Sequence, residues 1–183
     1  MGWELDNHWD LNVDQCVMIA APHTSNCDAL YARLALKALG VNVRLTIKDS
    51  YMKLPFGPFV RAMGGIGIDR RVKQAGQERP SMVQLMSDLF KTHPKLVMLV
   101  TPEGTRAKQE QWKTGFYHVA MTAGVPIALA YMDYAKKKTG VGKMIYPTGN
   151  YEQDMAEIMA FYAEINAKHP EKFSVDQRYA NNK

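Results

Sequence analysis

The fold is most clearly indicated by the stretch Lys95-Leu96-Val97-Met98-Leu99-Val100, which runs directly into Thr101-Pro102-Glu103-Gly104-Thr105-Arg106. After Lys95, the five residues Leu96–Val100 form a short apolar run of the kind typical of a strand that is buried on both faces. An amphipathic stretch at Ser81–Thr92 precedes it and predicts a helix. A helix followed by a fully buried strand indicates a layered α/β sheet.

The same alternation continues along most of the chain. Short apolar runs predict strands at Cys16–Ala20, Val43–Ile47, Gly65–Ile68, Pro126–Tyr134 and Lys143–Tyr146. Helical spacing predicts helices at Ala29–Leu39, Phe116–Ala123 and Tyr151–Lys168. This order predicts an α/β fold, a single layered domain with a largely parallel mixed sheet flanked by helices. We expect one domain over residues 1–183, with an N-terminal segment at 1–15 that is interfacial and a frayed tail at 178–183.

Composition limits the class of protein. With 183 residues, 46% hydrophobic and 22% charged, the chain is neither disordered, collagen-like nor a coiled coil. The longest apolar run, Val125–Met132, is much shorter than the ~20 residues of a spanning helix. The first residues lack the basic and apolar regions of a signal peptide, so we expect a cytoplasmic protein. The net charge of +5 favours anionic partners, but the cations form no stripe with interleaved aromatics, and we expect no nucleic acid.

The turn after the first strand, Pro22–Asp28, contains a candidate acid–base pair. If the helix begins near Ser25 or Asn26, both good N-caps, His23 lies on the loop and Asp28 can bend back to one imidazole nitrogen. That contact would fix the tautomer and leave the other nitrogen free as a base. The spacing alone is equally consistent with Asp28 only favouring the helix N-terminus.

Two further turns carry polar residues. The glycines of Gly64–Arg71 do not fit a dinucleotide-binding pattern, but Arg70 stands where it could bind a phosphate, unless it is a solvated surface arginine. In the turn after the strand ending at Val100, Gly104 lets a ligand approach the backbone, Glu103 can accept from a hydroxyl, and Arg106 can bind an anion. The histidines and cysteines show no metal-ligand spacing, so we expect no metal site.

Four motifs stand in the order of a known family: H-x-x-x-x-D from His23, G-I-D-R from Gly67, P-E-G-T-R from Pro102 and V-P-I from Val125. The sequence resembles the glycerolipid acyltransferases, specifically the 1-acylglycerol-3-phosphate (lysophosphatidic acid) acyltransferase family. It is similar to short bacterial members without N-terminal anchoring helices. The resemblance implies a glycerol-3-phosphate acyltransferase-like fold.

The resemblance also implies a reaction. A fatty acyl chain would move from an acyl thioester, either acyl-coenzyme A or acyl carrier protein, to the free hydroxyl of a lysophosphatidic-acid-like lipid. His23 would be the general base and Asp28 would hold it, with no covalent intermediate, metal or other cofactor. The implied substrate-binding residues are Arg70, Glu103, Gly104, Arg106 and Lys48.

A lysophospholipid acceptor resides in a membrane, so we expect peripheral association with the anionic inner face. The segment Tyr51–Met63 mixes apolar residues with cations, as interfacial segments do, and Trp3 and Trp9 could add to it. Two alternatives remain open: an acyltransferase for a lysolipid with an amino-acid or sugar headgroup, and a non-catalytic lipid- or phosphate-binding module on the same fold. The pairing of His23 with Asp28 argues against the module, because binding alone needs no oriented base.

Overall fold

The computed structural model describes residues 2–10, 12–53, 55, 57–62, 64–68 and 80–180, without the side chains of Lys48 and Tyr51. The strands of this part of the chain are β1 (Glu4–Asn7), β2 (Gln15–Ala20), β3 (Val43–Lys48), β4 (Gly65–Ile68), β5 (Leu96–Val100), β6 (Ile127–Asp133) and β7 (Lys138–Ile145). The helices are α1 (Asn26–Ala38), α2 (Gly57–Ala62), α3 (Met82–Thr92), α4 (Gly115–Ala123) and α5 (Tyr151–Ala163), with 3₁₀ turns at Asp49–Met52 and Pro170–Lys172.

The strands form one mixed sheet in the order β1-β7-β6-β2-β5-β3-β4. All neighbours are parallel except the antiparallel pair β6 and β7. Because β6, β2, β5, β3 and β4 run the same way, their carboxyl ends meet at one edge of the sheet. The prediction of an α/β layered fold with a largely parallel mixed sheet is confirmed.

The two faces of the sheet carry separate cores. On β2, Val17 and Ile19 point into a core with α3, α4 and α5, whereas Cys16 and Met18 point into a second core with α1. All four side chains are fully buried, as expected for a central parallel strand covered on both faces. Helix α1 therefore packs against one face of the sheet, and α3, α4 and α5 pack against the other.

Several elements differ from the sequence prediction, among them β7, which begins at Lys138 rather than at Lys143. Strand β1 was not predicted, because it is an edge strand whose Glu4, Leu5 and Asn7 face solvent and so shows no apolar run. Helix α2 was not predicted either. Helix α5 ends at Ala163 rather than continuing to Lys168; Asn166 instead donates to Asp133 Oδ2 at 3.0 Å, a tertiary contact that overrides the helical pattern.

Two C-terminal residues from the segment expected to be frayed, Arg178 and Tyr179, make tertiary contacts. Arg178 donates to Asp176 Oδ2 at 2.6 Å and to the Trp112 carbonyl at 3.0 Å, and Tyr179 is buried. The frayed tail expected from Arg178 therefore does not begin there, since a buried carboxylate holds that residue. Residues 181–183 lie outside the described chain.

Candidate active site

The loop between β2 and α1 places His23 at the carboxyl edge of the sheet. Ser25 is the N-cap of α1: its Oγ accepts from Cys27 N at 3.1 Å, and its own backbone N–H donates to Asp28 Oδ2 at 2.7 Å. This capping box ends the loop and starts the helix. His23 thus lies on the loop and Asp28 in the first helical turn, and His23 Nδ1 is 3.8 Å from Asp28 Oδ2.

Asp28 is buried, and its carboxylate accepts from several donors. Oδ2 accepts from Thr24 N at 2.7 Å as well as from Ser25 N. Oδ1 accepts from Ser25 Oγ at 3.0 Å and from Tyr134 Oη at 2.7 Å. These bonds fix the Asp28 carboxylate beside the imidazole. They also give both of its buried oxygens hydrogen-bond donors.

Tyr134 is a site residue that the sequence did not indicate. It directly follows β6 and lies 106 positions from Asp28, so no local spacing could reveal the contact. Trp3 packs edge-on against Tyr134 and stacks on Tyr31 of α1. Burial and the neighbouring Asp28 carboxylate both raise the pKa of Tyr134, which keeps its hydroxyl protonated as a donor.

Glu103 lies beneath the same loop. It follows β5 and is 4% exposed, and its Oε2 accepts from His23 N at 2.9 Å. Burial raises the pKa of the Glu103 carboxyl to about 7, with Asp28 adding to the effect and the bond from His23 opposing it. The resemblance implies a contact with the acceptor, but in the structure this carboxyl holds the His23 backbone.

Glu103 predicts a pH dependence of stability. Between its usual pKa of 4.5 and the folded value of about 7, the folded state binds more protons than the unfolded state. The free energy of unfolding therefore falls as pH rises through this window, by up to about 3 kcal/mol. In Glu103→Gln, the amide oxygen can still accept from His23 N. The pH-dependent part of the free energy of unfolding that comes from Glu103 is absent.

The measurement is the melting temperature of both proteins at pH 5 and pH 8. We expect the wild type to lose stability relative to Glu103→Gln as pH rises. Other titrating groups are common to both proteins and cancel in the difference. Parallel pH profiles would show that Glu103 titrates as an ordinary exposed carboxyl.

A polar pocket of about 290 Å³ opens beside His23 and is lined by Thr101, Gly104, Thr105 and Arg106. Gly104 adopts φ +69°, a conformation that favours glycine. A Cβ there would come within 2.5 Å of Lys113 Nζ, so the ammonium of Lys113 lies close over this turn. Lys113 is a second cation that the sequence analysis did not single out.

The pKa of His23 lies below its ordinary value of 6.5. Burial is the largest cause, and the positive charge of Arg106 adds to it, while the Asp28 carboxylate acts in the opposite direction. The imidazole is therefore neutral at neutral pH, the form that can accept a proton.

An apolar cavity of about 270 Å³, also lined by His23, lies between α1 and the sheet. Helix α1 contributes Asp28, Ala32 and Leu36, which recur every four residues along one face. The sheet contributes side chains from β2, β3, β5, β6 and β7, among them Ala20, Leu45, Leu99, Ala130 and Thr139. His23 and Thr101 line both this cavity and the polar pocket, so the two spaces share these residues.

Other predicted site residues are only partly described. Lys48 is the last residue of β3, and its side chain lies outside the described part of the structure. Arg70 lies outside the described residues, after β4 ends at Ile68. The segment expected to contact the membrane is Tyr51–Met63. Within it, Phe59 is 68% exposed, whereas Phe56 and Met63 lie outside the described residues.

Trp9, which the sequence analysis gave as a possible addition to the membrane segment, is partly buried and packs against the core beneath α1. Among the described residues, no three His, Cys, Asp or Glu side chains form a group that could hold a metal ion. In the same part of the chain, every helix is too short or too polar to cross a bilayer.

Comparison with known proteins supports the resemblance. Residues 5–133 match the family model described as Acyltransferase, a range that includes β2 to β6 and the site residues His23, Asp28, Glu103 and Arg106 and ends one residue before Tyr134. No curated protein and no solved structure matches the chain. Because the matched region is well over half of the 183 residues, the resemblance is confirmed: the chain belongs to the Acyltransferase family and is an acyltransferase.

Proposed function

We propose that the protein is an O-acyltransferase that moves a fatty acyl chain from a thioester to the free hydroxyl of a lysophosphatidic-acid-like lipid. One observation carries the proposal: His23 lines both an apolar cavity and a polar pocket that contains Arg106. The reaction joins an apolar chain to a phosphorylated acceptor, and therefore needs both environments next to one base.

In the proposed mechanism, His23 is the general base. Its Nδ1 faces Asp28, so Nε2 is the nitrogen that takes the proton from the acceptor hydroxyl. The acceptor oxygen bonds to the thioester carbonyl carbon, the carbon–sulfur bond breaks, and the thiolate leaves. The proton of the acceptor hydroxyl is by then held on His23. Proton transfer of this kind contributes about 10²–10⁴-fold.

The polar pocket is proposed to hold the acceptor phosphate. Arg106 lines the pocket and its guanidinium can donate two bonds to a phosphate. Lys113 is fixed next to it, because its backbone N–H donates to the Pro102 carbonyl at 2.8 Å and its ammonium lies over Gly104. Two cations beside His23 would place the acceptor hydroxyl within reach of Nε2.

The apolar cavity is proposed to hold the acyl chain. It follows α1 from Asp28 to Leu36, and a rise of 1.5 Å per residue gives a length of about 12 Å. Small residues on the inner face of α1 leave this space open, in particular Ala32 and Ala35. A thioester carbonyl at His23 would direct its chain along this row.

Narrowing the cavity should change chain-length preference. In Ala32→Phe, a large side chain enters the space one helical turn beyond Asp28. We expect kcat/KM for long-chain donors to fall by about tenfold or more relative to short-chain donors. The measurement is kcat/KM for a series of acyl-coenzyme A donors of increasing length.

Ala38→Phe is the matched control, because Ala38 is an exposed residue of the same helix. It should leave the chain-length series as in the wild type. A uniform loss at all chain lengths in Ala32→Phe would contradict the assignment of the cavity to the acyl chain.

The proposed function is tested by acyl transfer from purified protein to 1-acylglycerol-3-phosphate in mixed micelles. Acyl-coenzyme A and acyl carrier protein are offered separately, and phosphatidic acid is quantified. Product with either donor supports the proposal and identifies the donor. Absence of product with this acceptor, together with product from a lysolipid bearing an amino-acid or sugar headgroup, would contradict the proposed acceptor.

A further inference from the structure

The outer face of α1 is apolar and basic. Leu30 and Leu34 are four residues apart, which places them on the same side of the helix, and they are 59% and 56% exposed. Arg33 and Lys37 lie beside them and are also exposed. The only acidic residue of α1, Asp28, is buried, so the outer face carries no negative charge.

A basic cleft adjoins this face. The cleft has a volume of about 440 Å³ and is lined by the described residues Arg33, Leu36, Lys37, Val41, Asn42, Val43, Arg44, Ala62 and Gly64. Three of these side chains are cationic and none is acidic. Ala62 belongs to α2, which also carries the exposed Phe59. Residues of two helices, α1 and α2, therefore border one basic cleft.

The face and the apolar cavity share the same helix. Ala32 and Leu36 of α1 line the cavity, while Leu30 and Leu34 point away from the sheet. Arg33, Leu36 and Val43 line both the cavity and the basic cleft. A surface in contact with lipid at Leu30 and Leu34 would thus lie next to the space proposed for the acyl chain.

We propose that the outer face of α1, defined by Leu30, Arg33, Leu34 and Lys37, docks on an anionic lipid bilayer, with Arg44 of the cleft binding headgroups. The proposal rests on the proposed function, which requires a lipid acceptor. Leucines inserted among the headgroups, with cations beside them, are the combination by which interfacial helices bind anionic membranes. The net charge of +5 favours the same approach.

The proposal is tested by co-sedimentation with vesicles of phosphatidylglycerol and phosphatidylcholine, and with vesicles of phosphatidylcholine alone. The wild type should bind the anionic vesicles more tightly. Leu30→Asp combined with Leu34→Asp should weaken binding to anionic vesicles by about tenfold or more. Lys37→Gln combined with Arg44→Gln should remove most of the preference for anionic over neutral vesicles.

Met121→Asp combined with Tyr146→Asp is the matched control. It makes the same change of charge at two other exposed apolar residues, which are 42% and 61% exposed; Met121 belongs to α4, on the opposite face of the sheet. We expect this variant to bind anionic vesicles severalfold more tightly than the leucine variant. Melting temperatures close to that of the wild type would show that both variants are folded.

Equal loss of binding in the control and the leucine variant would overturn the proposal, since charge alone would then explain the effect. Wild-type vesicle binding by the leucine variant would also overturn it. If that variant bound vesicles normally but lost acyl transfer only with acyl carrier protein, the face would be a docking site for that acidic protein instead. Because the vesicles contain neither donor nor acceptor, the result is independent of whether the proposed reaction is correct.

Discussion

His23→Ala is expected to lower kcat for acyl transfer by about 10²–10⁴-fold with little change in KM. The imidazole would be the group that takes the proton of the acceptor hydroxyl, whereas the acyl chain and the phosphate are proposed to bind elsewhere. The measurement is steady-state acyl transfer to 1-acylglycerol-3-phosphate, with the better of the two donors.

The same variant should remain folded. Glu103 accepts from the backbone N–H of His23, and alanine keeps that donor. His23→Gln serves as the control, because it restores a polar side chain but no base, and should be as inactive as alanine. Activity that survives in either variant would disprove the assignment of His23 as general base.

Asp28→Ala is expected to lose both activity and stability. It removes the acceptor of two backbone N–H groups, Thr24 N and Ser25 N, and of the Tyr134 hydroxyl. Because Thr24 is buried, the donors that lose their acceptor should lower the free energy of unfolding by about 3 kcal/mol. For a chain of this length, that corresponds to a fall in melting temperature of about 6–12 °C.

Asp28→Asn separates the two effects. The amide oxygen can still accept from the two backbone N–H groups, and the hydroxyl of Tyr134 can turn to accept from the amide nitrogen. Most of the stability should therefore remain, whereas the negative charge beside Nδ1 is lost. We expect kcat to fall by about 10²-fold or more while the melting temperature stays well above that of Asp28→Ala, measured by thermal denaturation and by acyl transfer.

A melting temperature of Asp28→Asn equal to that of Asp28→Ala would contradict the bonding pattern described for the carboxylate. Wild-type kcat in Asp28→Asn would show that the charge of Asp28 does not act on His23. Neither result would bear on the role of His23 itself, which its own variants test.

The fold was accessible from the sequence where local patterns are strong. The buried runs that became β2, β5 and β6 are apolar on both faces, and burial of such runs needs helices on both sides of the sheet. Ser25 and Asn26 likewise offered two candidate starts for α1, because an N-cap depends on neighbouring residues, and the structure selects Ser25. Edge strand β1 and short helix α2 carry no comparable pattern, since most of their side chains face solvent.

The sequence by itself determined the central strands, the turns that follow them and the family, because these depend on residues close together in the chain. Only the tertiary structure decided what those turns contact. It placed the Glu103 carboxyl under the His23 backbone and brought Tyr134 to Asp28, and it left Leu30 and Leu34 exposed on α1. The physical reason is that burial and long-range hydrogen bonds arise only when parallel strands bring distant turns to one edge of the sheet.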